Sequence, residues 1–273
     1  MSPLRDPLHC EVFGHKLAYH TGGSGESVLL VHGITTYSFI WRNIFPLLSD
    51  KYHVIAVDLL GCGDSSKPLN VEYSIKHHAE LLKEFMTQMG VEKFHYVGHD
   101  VGGGIGQIFA VRYPDLLYDL TLINTVAYDL WPVQPISAVR TPVIRQLLMA
   151  SLDLGTFRMI VKRGLYHKEN VTAELMDYFW KPMKSTEGRK SFVHFANCLN
   201  NKHLLEIEHD LRRINLPVLI IRGDADPYLS REISERLHEE IKDSQLFQIK
   251  TGGHFIQEDE PERVVEILDR FLG

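Results

Sequence analysis

Three side chains far apart in the sequence have the chemistry for nucleophilic catalysis with a water-activating base: Asp100, Asp226 and His254. Asp100 lies in Gly98-His-Asp-Val-Gly, between the apolar run Phe94-His-Tyr-Val and a helical pattern. Small residues two before and two after a central position suit a very tight strand-to-helix turn. The central residue is forced to positive φ there, and bulk at the flanks would collide. Such a turn pushes one side chain out at the C-terminal edge of a sheet. The N–H groups of the following helix lie beside it and favour negative charge. A carboxylate in that place is suited to displacing a leaving group from a saturated carbon, which gives an alkyl ester. Attack on an ester carbonyl would instead give a high-energy anhydride. The plainer use of Asp100 is to cap the helix that follows.

His254 lies in Lys250-Thr-Gly-Gly-His-Phe, just past the final strand pattern, and Asp226 in Gly223-Asp-Ala-Asp-Pro, just past the one before it. A histidine held by an aspartate can take a proton from water. With 15 histidines in the chain, a packed or surface role is the competing explanation for any one of them, as helix capping or turn formation is for Asp226. Asp224 competes with Asp226, but Gly-x-x-Asp lets the loop leave the strand before presenting the carboxylate. His32-Gly33-Ile34 ends the first central strand, where the N–H of Ile34 can join that of Val101 in an oxyanion hole.

The elements that must position these groups follow from periodicity. Residues 10–13 and 16–20 form a hairpin around Gly14-His15, and 27–31 a buried strand. A helix is expected over 38–49, a strand over 52–58, and a turn-rich loop from Leu59 to Pro68. An amphipathic helix over 75–89 closes at Gly90; the helix after Asp100 runs to about residue 113 and stops at Pro114; a strand covers 116–124. Residues 127–210 read as mainly helical. Strand returns at 216–224 and 245–249, with helices over 231–241 and 261–272. Strands alternating with helices imply an α/β fold with a mostly parallel, doubly wound, eight-stranded sheet. The core is expected in 1–126 and 211–273. The inserted 127–210 would be a helical lid over the strands' C-terminal ends, where open α/β sheets place their sites.

Composition is that of a globular protein, 44% hydrophobic and 23% charged. A net charge of -6 without a basic stripe argues against nucleic acid. Three separated cysteines form neither a metal spacing nor a disulfide framework and point to a reducing compartment. No apolar leader or membrane-length run is present, so a cytoplasmic location away from membranes is expected.

Over nearly its whole length the sequence resembles the α/β-hydrolase superfamily. The matching pieces are Val31-His-Gly, Asp58-Leu-Leu-Gly-Cys-Gly-Asp-Ser-Ser-Lys-Pro, Gly98-His-Asp-Val-Gly-Gly, Gly223-Asp-Ala-Asp and Gly253-His. Nucleophile, acid and base then fall in the chain order of that superfamily. The His-Asp at the turn resembles the haloalkane dehalogenases, epoxide hydrolases and haloacetate dehalogenases. The resemblance implies a hydrolase that needs no cofactor or metal and acts with water on a small apolar epoxide or alkyl halide.

Several positions depart from those patterns. Haloalkane dehalogenases carry Trp after the nucleophile, and many add Asn after His-Gly; here Val101 and Ile34 stand there. Val101 also excludes the Arg that haloacetate dehalogenases typically use. Thr35 replaces the usual Pro of epoxide hydrolases. Substrate contacts from the lid would have to come from residues such as Tyr128, Trp131, Tyr166, Tyr178 or Trp180, although aromatics in helices are more often core. Two alternatives stand beside this expectation: ester, lactone or carbon–carbon bond hydrolysis without Asp100 as nucleophile, and a non-catalytic small-ligand binder on the same scaffold. The sequence does not assign an oligomeric state.

Overall fold

The computed structural model describes residues 4, 6–134, 136–139 and 154–273. Its eight strands are β1 (Leu8–Val12), β2 (His15–Gly22), β3 (Ser27–Val31), β4 (His53–Val57), β5 (Phe94–Asp100), β6 (Leu117–Thr125), β7 (Val218–Gly223) and β8 (Ser244–Ile249). They form one sheet in the order β1-β2-β4-β3-β5-β6-β7-β8. β1 and β2 make the expected hairpin, β2 runs antiparallel to β4, and every pairing from β4 through β8 is parallel.

β3 and β5 are buried along their whole length, which is why they read as continuous rather than alternating apolar segments. Their side chains still alternate between faces. Leu29, Val31, Tyr96, Leu120 and Ile220 pack on one side with α2 (Ile75–Gln88) and α3 (Val101–Arg112). Val28, Leu30, Val97, Ile123 and Leu219 pack on the other side with α1 (Phe45–Ser49) and the C-terminal helix Pro261–Leu272. α2 begins where Ser74 Oγ accepts the His77 N–H at 3.2 Å, and Gly90 past its end takes φ 71°.

The helix expected over 38–49 is instead a 3-10 turn, Ser38–Trp41, followed by the short α1. Pro46 explains the break, because it has no N–H to donate to the Arg42 carbonyl and suits a helix's first turn instead. Between β6 and β7 the described residues form helices, chiefly Leu154–Gly164, Ala173–Trp180 and Thr186–Cys198, and no strand. This segment ties directly to the loop after β8: the Gly164 carbonyl accepts the His254 N–H at 2.7 Å.

Candidate active site

β5 runs to Asp100 and α3 starts at the next residue, so the chain reverses within one position, with Asp100 at φ 53°. Two glycines make room for the reversal. A Cβ on Gly98 would lie 2.5 Å from the Gly102 carbonyl oxygen, and one on Gly102 would lie 2.3 Å from that of Val31. The Ile34 N–H donates to Asp100 Oδ1 at 3.0 Å, and the Val101 N–H lies beside the carboxylate and favours its charged form. The loop carrying Ile34 is held by His32, whose Nε2 accepts the Leu59 N–H at 3.0 Å while Nδ1 donates to the Gly33 carbonyl at 2.7 Å. Burial pushes the Asp100 carboxyl up; the His254 charge and the two N–H groups oppose it, and the net shift is upward.

The structure brings the other two candidates to the same edge. His254 Nδ1 is 2.9 Å from Asp226 Oδ2, and His254 Nε2 faces Asp100 Oδ2 at 3.9 Å. The remaining Asp226 oxygen accepts the N–H groups of Tyr228 and Leu229 at 2.8 and 3.2 Å. Burial would raise the Asp226 carboxyl, but His254 and these donors outweigh it and hold it below the usual carboxylate range. Burial would lower His254, but the Asp226 charge and hydrogen bond, followed by the Asp100 charge, hold it above the ordinary histidine value. Asp224, the competing carboxylate, is exposed.

Three positions that contact the loop or ring of His254 were missed in the sequence. Asn124, next to last in β6, takes φ 39° and is buried. Its Nδ2 donates to the carbonyls of Gly253 and His254 at 2.8 and 3.0 Å, and its Oδ1 accepts the Gly223 N–H at 2.9 Å. One amide thereby joins the loops that carry Asp226 and His254. His99 Nε2 donates to the same His254 carbonyl at 2.9 Å, and burial with the nearby His254 charge pushes His99 down to about 3, so it stays neutral. Tyr228 sets its ring edge-on to His254 at 5.3 Å and donates its hydroxyl to the Ile160 carbonyl at 2.7 Å. Only Asn124 left a trace, as a polar residue following the apolar Leu122-Ile123 near the strand's end.

A cavity of about 50 Å³ opens on Asp100 and His254 and is lined by Thr35, Gln134, Ile160 and Tyr228, among others. None of the five aromatics expected to reach substrate is among its described lining residues. Tyr128 is core: its hydroxyl donates to Glu240 at 3.1 Å, with the Arg236 guanidinium 3.7 Å from its ring. Trp131 is buried in the core cluster beside α2 and α3. Tyr166 is exposed, Tyr178 stacks on Phe39, and Trp180 packs between Phe157 and Arg189. Packing of aromatic area against neighbours accounts for all but the exposed Tyr166.

Residues 26–261 match the profile of the alpha/beta hydrolase fold family, and the chain belongs to that family. It is 28% identical over 269 residues to haloalkane dehalogenase 2 of Mycobacterium tuberculosis, covering 94% of this chain and 91% of that one. It is 27% identical over 273 residues to the cis-3-alkyl-4-alkyloxetan-2-one decarboxylase of Shewanella oneidensis, covering 95% and 86%. Among solved structures, epoxide hydrolase CorEH without ligand aligns with a TM-score of 0.87 at 21% identity, covering 97% and 98%, a likeness of fold. No helix among the described residues is long and apolar enough to cross a membrane. No group of three or more His, Cys, Asp or Glu among them is placed to hold a metal ion.

Proposed function

We propose that this protein is a hydrolase in which Asp100 attacks a saturated carbon of a small apolar substrate, an alkyl halide or an epoxide. The observation that carries this is the division of labour between the two carboxylate oxygens. Oδ1 rests on the Ile34 N–H while Oδ2 faces His254. Oδ2 is thus the free nucleophile. Once it is alkylated, Oδ1 becomes the ester carbonyl oxygen, already seated where donors would stabilise a tetrahedral oxyanion. The helices between β6 and β7 would act as a lid, since Gln134 and Ile160 line the cavity.

The second step follows from the same charges. Before reaction, the Asp100 charge helps hold His254 protonated. Alkylation removes that charge, which lowers the proton affinity of His254 and readies it to take a proton from water. Hydroxide then attacks the carbonyl carbon of the ester, the alcohol leaves, and the Asp100 carboxylate returns. Asp226 keeps the imidazole oriented and offsets its charge. A strained lactone could be opened by the same displacement, and one relative is named as an oxetanone decarboxylase.

The test is intact-protein mass of His254→Gln incubated with alkyl halides, epoxides and a β-lactone. The expected result is a stable ester adduct that vanishes when Asp100→Asn is added. Turnover of an activated ester that survives Asp100→Asn, with no adduct from any compound, would overturn the assignment.

A further inference from the structure

Thr35 carries two independent anomalies. It is β-branched yet sits at φ 70°, a conformation that is a genuine outlier for such a side chain and that persists only where the surroundings impose it. It also lines the cavity over Asp100, and its hydroxyl makes no hydrogen bond among the described residues. Its neighbours are committed: the Ile34 N–H goes to Asp100 and the Thr36 hydroxyl to the Gly33 carbonyl. A strained residue with an uncommitted donor, one position from an N–H that grips the proposed nucleophile, is placed for function rather than packing.

Resting on the reading of Asp100 as nucleophile, we propose that the Thr35 hydroxyl is the donor that receives a departing halide, and that short-chain alkyl halides are the substrate class. As the lone pair of Asp100 Oδ2 forms the new bond to carbon, the carbon–halogen bond breaks and the halide leaves with both electrons. In an apolar cavity that anion needs a hydrogen-bond donor. The other donors on the wall are less available. Gln134 is exposed to water. The Tyr228 hydroxyl already donates to Ile160, and burial pushes it up to about 12. A halide needs only the hydrogen bond that Thr35 offers, whereas a ring-opened alkoxide must be given a proton, which a threonine hydroxyl is too weak an acid to supply, and His254 Nε2 is turned to the Asp100 carboxylate. All eleven tyrosines lie among the described residues, and Tyr228 is the one on this wall. The space over Asp100 among the described residues is small, about 50 Å³, and suits a short chain.

The test measures the rate of ester formation by intact mass in the His254→Gln protein, with and without Thr35→Val or Thr35→Ser, using 1-chlorobutane, 1-iodobutane and 1,2-epoxybutane. Valine keeps the β-branch, so the backbone cost is unchanged and only the donor is lost. Alkylation by 1-chlorobutane should slow about 10- to 100-fold in Thr35→Val. The penalty should be smaller for 1-iodobutane, whose leaving charge is more diffuse, and Thr35→Ser should restore the rate. Equal rates with threonine and valine would overturn the role of Thr35 while leaving Asp100 as nucleophile. Alkylation by the epoxide alone would overturn the halide assignment. An absence of adduct with Thr35 intact would overturn the Asp100 reading and this one with it.

Discussion

At the C-terminal ends of the strands His254 Nδ1 lies 2.9 Å from an Asp226 oxygen, and near the N-terminal ends of the same sheet His95 Nδ1 lies 2.6 Å from Asp119. Both pairs are buried, and both histidines are held above their ordinary value. The surroundings differ. Asp226 has both oxygens satisfied and its carboxyl is held low; Asp119 Oδ1 has no partner among the described residues, and burial pushes that carboxyl up. The second nitrogen of His254 faces Asp100 on a strained turn, whereas that of His95 faces the surface residue Glu26 at 3.5 Å. Cavity size runs the wrong way as a guide. A pocket of about 660 Å³ lies beside Tyr118, near His95, yet its described walls include neither His95 nor Asp119, while the space over Asp100 is about 50 Å³. A histidine–aspartate pair becomes a candidate for catalysis when its free nitrogen faces a nucleophile whose other oxygen is already held by backbone donors.

Removing one carboxylate that faces each histidine tests that contrast most sharply. Asp100→Asn should lower turnover at least about 1,000-fold with the melting temperature nearly kept, since the charge it removes is that of the proposed attacking group. Asp119→Asn should leave turnover per folded molecule unchanged and cost about 1–3 kcal/mol of stability, a fall of about 2–4 °C for each kcal/mol. Comparable activity losses in both variants would erase the distinction.

Asn124→Ala should give a smaller loss, about 10- to 100-fold in kcat, because the loops bearing Asp226 and His254 lose their shared clamp and small displacements of a base are costly. Steady-state kinetics showing a change in KM alone would contradict that role.

The smallest effects are in pH, and the two histidines should respond oppositely. His95 has its folded value raised above 6.5 by the Asp119 hydrogen bond and charge and by Glu26, which outweigh burial. Its contribution to stability is complete below pH 6.5 and is lost as pH rises through the folded value. Denaturant midpoints should therefore fall across that window, and Asp119→Asn should flatten the fall. His254 must be neutral to act as a base on the alkyl-enzyme, so kcat should rise with pH through its value there, which lies below that of the resting enzyme because the Asp100 charge is gone. A rate that falls over that range would argue against His254 as base.

Much of the scaffold was legible in the chain. Continuous apolar runs such as Ser27-Val-Leu-Leu-Val announced strands covered on both faces, and Gly98 and Gly102 announced the sharp turn at Asp100. The helix over 38–49 misled because its apolar spacing outweighed a single Pro46. The lid aromatics misled because residue type does not say which way a side chain packs. Thr35 was visible as a departure from a family pattern, but its left-handed backbone was not.

The sequence by itself determined the eight strands, the turn at Asp100 and the order of the three candidate groups, because local steric demands and hydrophobic period are written residue by residue. Only the tertiary structure decided which carboxylate meets His254, that Asn124 clamps two loops, and which residues wall the cavity. Those outcomes depend on contacts between positions more than 100 residues apart, 130 for Asn124 and His254 and 155 for His99 and His254, and no local pattern encodes the register at which distant loops meet.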